Sequence, residues 1–214
     1  MAEKHKEYKF ILIGNTAVGK TAFFRKVTSG IFNEKNISTI GIDKYTLFYE
    51  NIDIKIDGKD AKESFNIILY DTAGQERYRA LAKNYFNSTD VVILLYDITD
   101  RKSFDSIEGW LKDVKEKLSD WKTGQYLIFL LGNKLDLIDI GDKKREVTED
   151  EAENFCEDNK IECAGECSVK EFTDKELKDL LLKCWRKFVE KFGVKKDLTK
   201  YGKAEVKKRK KRMC

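Results

Sequence analysis

Gly14-Asn15-Thr16-Ala17-Val18-Gly19-Lys20-Thr21 decides how this chain is read. It fits the pattern G-x-x-x-x-G-K-[ST] in full. Before it stands a strand-like run, Tyr8 to Ile13, and after it Ala22 to Val27 reads as the first turns of a helix. Strand, loop and helix are the context that phosphate chemistry needs, because unpaired N–H groups and the positive end of a helix dipole then face the anion. Gly14 and Gly19 permit backbone geometries that a Cβ would obstruct. Lys20 would set its ammonium on the outer phosphates, and the Thr21 hydroxyl would be a ligand for Mg²⁺.

Working outward, the first helix runs to about Ser29-Gly30, where glycine suits a C-cap. An irregular polar stretch, Ile31 to Asp43, leads to a β-hairpin. Its arms are Tyr45–Ile56 and Ser64–Tyr70, with Asp57-Gly58 as the turn signal. The second arm ends on Asp71-Thr72-Ala73-Gly74-Gln75-Glu76-Arg77, a carboxylate leaving a strand and followed by a glycine. Alone, Asp-x-x-Gly is a common turn; after a phosphate loop and a hairpin it points to the metal shell and the terminal phosphate. Arg79 to Asn87 reads as a helix.

Val91 to Asp97 is the continuous apolar run of a central parallel strand. The next helix, about Ser103 to Leu118, has its apolar stripe at Phe104, Ile107, Trp110, Leu111, Val114 and Leu118. Tyr126 to Leu131 is another buried strand, running straight into Gly132-Asn133-Lys134-Leu135-Asp136. Thr148 and Glu151 form a capping box for a helix over 148–158. A short strand and loop over 161–170 precede a long amphipathic helix over 173–192, through Leu177, Leu180, Leu181, Cys184, Trp185 and Phe188. The expected fold is a doubly wound α/β domain: a mostly parallel six-stranded sheet with one antiparallel edge strand and a phosphate-loop site at the strand carboxyl ends.

The chain has 214 residues, enough for one core. No apolar run approaches the ~20 residues of a membrane span, and the N-terminus has no signal-peptide core. The five cysteines, Cys156, Cys163, Cys167, Cys184 and Cys214, contain no CxxC pair and read as free thiols. From Gly193 to Cys214 ten Lys or Arg stand against two acidic residues, a net +8, so a chain of +4 overall leaves −4 for residues 1–192. The division expected is a globular domain over 1–192 and a flexible polybasic tail over 193–214.

With Asn133-Lys134-Leu135-Asp136 added to the phosphate loop and Asp71 to Arg77, the chain resembles the Ras superfamily of small GTPases. Within it the Rab family is the nearest in pattern, through Ile40-Gly41-Ile42-Asp43, Asp71 to Arg79 and Tyr96-Asp97-Ile98-Thr99. The resemblance covers about residues 7–192 and implies GTP/GDP and Mg²⁺ as ligands. It assigns Gly14, Asn15, Thr16, Ala17, Val18, Gly19, Lys20 and Thr21 to the phosphates, Thr21 and Thr39 to Mg²⁺, and Asp71 to the metal through a water. Gly74 would bond the γ-phosphate and Gln75 would orient the attacking water. Asn133 and Asp136 would read guanine, Lys134 and Lys170 would lie along the base, Ser168-Val169-Lys170 would close over its oxygen, and Phe32 would pack on the ring. The choice of guanine also stands on chemistry: a carboxylate accepts from the N1–H and N2 amino group together, a donor pair that adenine lacks.

The pattern departs from the family at Lys44, where an aromatic is usual, at Tyr70 in place of tryptophan, at Val169 in place of alanine and at Ala17 in place of the commoner glycine. Tyr85 keeps the third aromatic of its cluster. The hairpin is longer by about five and four residues on its two arms, which is expected to leave the register unshifted. Its tip, about 51–64, reads either as a contact surface or as a solvated insertion.

The tail's run Lys207 to Arg212, beside Cys214, suits an anionic membrane surface better than nucleic acid, with Cys214 as a single prenylation site. No CaaX box is present, since Lys211 stands where its cysteine would be. The reading is a monomeric, GTP-hydrolysing switch for vesicle trafficking, cytoplasmic and cycling onto the cytosolic face of an endomembrane. Its implied partners are an exchange factor, a GTPase-activating protein and effectors. The alternatives are a non-hydrolysing GTP-binding membrane scaffold and a phosphate-loop kinase or ATPase.

Overall fold

The computed structural model describes residues 5–32, 42–56, 58–72, 86, 88–119 and 124–195. Strand β1 (Lys6–Ile13) is buried on both sides. Tyr8, Phe10 and Leu12 enter one apolar cluster, Ile11 and Ile13 the other. The same alternation divides β4 (Val91–Asp97) and β5 (Leu127–Asn133), every residue of which is buried. Strands of this kind need helices on both faces. On the first face lie α1 (Lys20–Ser29) and α6 (Asp174–Phe192), contributing Phe23, Val27, Leu177, Leu181, Trp185 and Phe188. On the second lie α3 (Ile107–Ser119) and α5 (Glu149–Asn159), contributing Trp110, Leu111, Val114, Leu118, Ala152 and Cys156.

With β2 (Ile42–Ile56), β3 (Lys59–Thr72) and β6 (Glu162–Glu166), the sheet has six strands in the order β2-β3-β1-β4-β5-β6. β1 pairs in parallel with β3 and β4, β4 with β5, and β5 with β6; β2 is antiparallel to β3 at the edge. The expected doubly wound sheet is therefore present. Its parallel strands deliver the phosphate loop, Asp71, Asp97, Asn133 and the loop after β6 to one rim.

Local chemistry accounts for the helix ends. α1 stops at Gly30 (φ +72°), whose N–H bonds the Lys26 carbonyl at 2.9 Å. α5 and α6 both open with capping boxes, Thr148 with Glu151 and Thr173 with Glu176. In α6, Leu180 is half-buried at the stripe's margin. The helix expected from about Ser103 begins earlier and is interrupted. Asp100 caps α2 (Arg101–Asp105), and α3 restarts after Ser106. The Ser106 hydroxyl donates back to the Lys102 carbonyl at 2.7 Å, a bond that bends helices.

The long hairpin corrects a second expectation. Pairing runs from Ile42 with Thr72 to Tyr49 with Phe65, then resumes one residue out of step at Ile52 with Glu63. Glu50 and Asn51 thus face the single residue Ser64, a β-bulge in which Asn51 takes φ +53° and its N–H bonds the Ser64 hydroxyl. The bulge switches parity. Leu47 and Tyr49 face inward before it, Ile52 and Ile54 after it. Ile54 is buried, and with Lys55 it forms one wall of a groove of about 530 Å³ against Val189, Phe192 and Val194. The inner part of the lengthened arm thus reaches the end of α6 through Ile54, while Asn51, Asp53, Lys55 and residues 58–60 stay exposed.

At the opposite rim, the domain's contacts continue to Lys195. Its N–H bonds the Tyr8 hydroxyl at 3.1 Å, and its ammonium bonds the Glu7 carbonyl and Asp90 Oδ2 at 2.8 and 2.6 Å. The remainder of the tail, the helix expected over 79–87 apart from Phe86, and Tyr85 lie outside the described residues.

Candidate functional site

The phosphate loop leaves β1 as a compact coil over residues 14–19. Gly14 (φ +146°) and Gly19 (φ +107°) are required twice over. Both occupy backbone conformations that L-residues avoid. A Cβ on Gly14 would also strike the Leu95 carbonyl oxygen, and one on Gly19 the Asn133 side-chain nitrogen. Ala17 takes φ +65°, a conformation in which the commoner glycine carries no strain.

Lys20, 4% exposed, directs its ammonium at the carbonyl oxygens of Gly14 (2.8 Å) and Asn15 (2.6 Å). An ammonium has three donors. The loop's own carbonyls hold two of them and so fix the direction of the third. Burial lowers the Lys20 pKa to about 8, against the opposing pull of Asp71.

Asp71 is fully buried at the end of β3. Burial pushes its carboxyl up to about 6, while the Thr21 hydrogen bond and the Lys20 charge pull it down. Thr21 Oγ1 donates to Asp71 Oδ2 at 2.7 Å, and Asp71 Oδ1 has no hydrogen-bond partner among the described residues. Thr72 Oγ1, donating to the Leu12 carbonyl at 2.7 Å, holds the end of β3 against β1. A buried carboxylate with an open oxygen, beside a hydroxyl and the phosphate loop, suits a hard oxygen-seeking cation such as Mg²⁺.

The residues assigned to the base form a second cluster, joined to the first by Asn133. Its Nδ2 donates to the Val18 carbonyl at 2.8 Å, and its Oδ1 accepts from the Val169 N–H at 3.1 Å. Both ends of this buried amide thus engage protein, tying β5 to the phosphate loop on one side and to the 168–170 loop on the other. Asp136, at the start of α4 (Asp136–Asp139), accepts from the Ser168 hydroxyl at 2.6 Å through Oδ1. That bond orients the carboxylate. Lys134 takes φ +75° and pairs with Asp97 at 2.6 Å. Burial alone would raise the Asp97 carboxyl, but Lys134 and two bonds from Thr99 hold it below its ordinary value. Lys170 offers its carbonyl to the Lys26 ammonium at 2.6 Å, and that ammonium lies 5.8 Å from the centre of the Phe32 ring.

The structure therefore assembles Gly14 to Thr21, Asp71, Asn133, Lys134, Asp136, Ser168, Val169 and Lys170 on one rim, with Phe32 beside them. Thr39, Gly74, Gln75 and Cys214 lie outside the described residues. Sequence reasoning missed Lys26 and Asp97 as supports of this rim, and the grip of Ser106 and Trp110 on Asn15. Trp110 carries a signal only as an apolar residue in a helical stripe, which says nothing of where its N–H points.

Residues 9–190 match the Ras family. The chain is 37% identical over 162 residues to human EF-hand calcium-binding domain-containing protein 4B, a match covering 76% of this chain but only 20% of that one. It is 36% identical over 181 residues to Ras-related protein Rab-13 of Rattus norvegicus, covering 82% and 81% of the two chains. To GTP-binding protein YPT1 of Saccharomyces cerevisiae it is 34% identical over 154 residues, covering 72% and 66%.

Proposed function

The chain belongs to the Ras family of small GTPases, as a divergent Rab-like member, and from that premise we propose a GTP-hydrolysing switch that regulates vesicle trafficking. The observation that carries the reading is the brace through Asn133, which joins a phosphate loop to a carboxylate held ready by Ser168. Gly14 to Thr21 bind the phosphates, with the third Lys20 donor on the outer ones. Asp136 accepts from the two donors of guanine, and for adenine it would be left unpaired. Lys134 and Lys170 flank the base, and Phe32 packs beside it. The open oxygen of Asp71 and the Thr21 hydroxyl, joined by Thr39, would hold Mg²⁺, whose charge neutralises that of the β- and γ-phosphates.

Gly74 bonds the γ-phosphate and Gln75 orients the attacking water. Unaided turnover of such a switch is on the order of 10⁻⁴ s⁻¹, and a GTPase-activating protein would supply the rest. Exchange factors and effectors would read the surface around Thr39 and Gln75, whose state would follow the bound nucleotide. The basic tail and a prenylated Cys214 would give a reversible two-signal anchor on the cytosolic face of an endomembrane. No helix among the described residues is long and apolar enough to cross a membrane.

The test is the nucleotide that copurifies with the protein, released by denaturation and identified by chromatography. Guanine nucleotide near one per chain, mostly GDP, is expected. GTP alone would favour a non-hydrolysing scaffold, and adenine nucleotide would overturn the reading of Asp136.

A further inference from the structure

The Asn15 side chain is held by an element outside the loop's own strand and helix. Its Oδ1 accepts from the Trp110 indole N–H at 2.9 Å, and its Nδ2 donates to the Ser106 hydroxyl at 2.9 Å. Both partners come from the place where the helix after β4 is broken. Ser106 is the residue at the break, and the Trp110 N–H of the backbone bonds the Ser106 carbonyl at 3.2 Å, fixing the two side chains relative to each other. Trp110 is 3% exposed and packed in the apolar cluster of the second face. The Asn15 carbonyl, in turn, accepts one of the two bonds that aim the Lys20 ammonium.

We propose that Trp110 is a positioning residue for phosphate binding, acting through Asn15 on Lys20, and that this latch couples α3 to the nucleotide. The physical argument is one of degrees of freedom. Asn15 is only half-buried, so without the indole and hydroxyl its side chain would rotate and its carbonyl would lose its fixed bearing on Lys20. With both ends of the amide held, the peptide is pinned at the height at which the ammonium's free donor faces the phosphate position. The coupling is reciprocal. A nucleotide that pulls on Lys20 shifts Asn15 and so the indole, and a protein that presses on α3 changes the grip on phosphate. The inference rests on the reading of the loop as a GTP/GDP site.

The test compares Trp110→Phe, which keeps the apolar packing and removes the donor, with Asn15→Leu, which removes both ends of the amide. Release of a fluorescent GDP analogue from the full chain is expected to quicken about tenfold in Trp110→Phe, the scale of one lost buried hydrogen bond, and at least as much in Asn15→Leu, which loses the bond to Ser106 as well. The double variant should release no faster than Asn15→Leu alone. In the parent, the Trp110 indole ¹H–¹⁵N resonance should shift between GDP and a non-hydrolysable GTP analogue, which an indole serving only as packing would not do. Unchanged release in Trp110→Phe with native thermal stability, or an indole resonance blind to nucleotide, overturns the latch. A parent chain that binds no guanine nucleotide overturns instead the function on which the latch rests.

Discussion

The Thr21 hydroxyl donates to Oδ2 of Asp71 at 2.7 Å, across the junction of phosphate loop and β3. That bond and the Lys20 charge do not fully offset the burial of the carboxylate, whose pKa is about 6 against an ordinary 3.8. Between about pH 4 and 6 the folded chain therefore binds more protons than the unfolded one. The stability linked to the neutral form is complete below pH 4 and lost as pH rises to 6, on the order of 3 kcal/mol. Lys20, lowered from 10.5 to about 8, gives the opposite slope at high pH: stability rises between about 8 and 10.5 as the unfolded chain loses its proton. Urea unfolding of nucleotide-free protein at pH 4 and 6.5 checks the first window. Asp71→Asn should gain stability relative to the parent as pH rises, and a constant difference would show that Asp71 is not the titrating group.

Asn133 and Asp136 should separate cleanly. Asn133→Ala leaves the Val18 carbonyl and the Val169 N–H buried without their partner, which costs about 1–3 kcal/mol for each group and should lower the melting temperature even without nucleotide. Asp136→Ala leaves only the Ser168 hydroxyl short of an acceptor, so it should cost guanine affinity far more than stability. Calorimetry of both proteins, with and without GDP, decides. Equal losses of stability would mean that Asp136 is as much a brace as Asn133.

Much of this was legible in the sequence because it depends on local chemistry. The phosphate loop, the capping box at Thr148, the Gly30 cap and the fully apolar strand over 91–97 each declare themselves within a few residues. The hairpin bulge went against the unshifted register expected of it, although its signal lay in the sequence. Inward residues at Leu47 and Tyr49 give way to Ile52 and Ile54, a step of three in a period of two. What was not legible is what separate segments do to one another. Nothing local says that Trp110 bonds Asn15, that Lys26 holds the Lys170 carbonyl or that Asn133 spends both ends of its amide on protein. Those bonds exist because strand order brings distant loops to one rim.

Gly19→Ala should be more damaging than its single added methyl suggests. The φ of +107° and the approach of the Asn133 amide act on the same atom, so the loop cannot yield without breaking the Asn133–Val18 bond. Gly30→Ala makes the control, since its Cβ would meet nothing within 4 Å and only the φ of +72° is strained. Nucleotide retention through gel filtration should fall sharply for the first and little for the second. Equal retention would remove the steric argument.

Ala17→Gly should stabilise the chain. At φ +65° an alanine carries strain of about 1 kcal/mol that glycine avoids, although glycine's freer unfolded state returns part of it. A rise of about one to two degrees in melting temperature is expected, and a fall would mean that the unfolded-state term dominates.

Ile54 tests whether the lengthened hairpin belongs to the core. It is 8% exposed and packed with Val189 against the end of α6, while Phe48, nearer the sheet on the same strand, is 51% exposed. A solvated insertion would accept Ile54→Ala at no cost. A packed one loses the transferred methylenes and opens a cavity, about 2 kcal/mol or more. Phe48→Ala, by contrast, opens no cavity and should cost less than Ile54→Ala, losing chiefly its contact with the His5 ring. Denaturant unfolding of the two variants compares them directly. The sign of the difference carries the argument: because the bulge at Glu50-Asn51 turns Ile52 and Ile54 inward, deleting Asn51 should expose both and destabilise the hairpin more than Ile54→Ala alone. If the deletion is the milder change, the distal arms re-pair without the bulge and the packing on α6 is incidental to the fold.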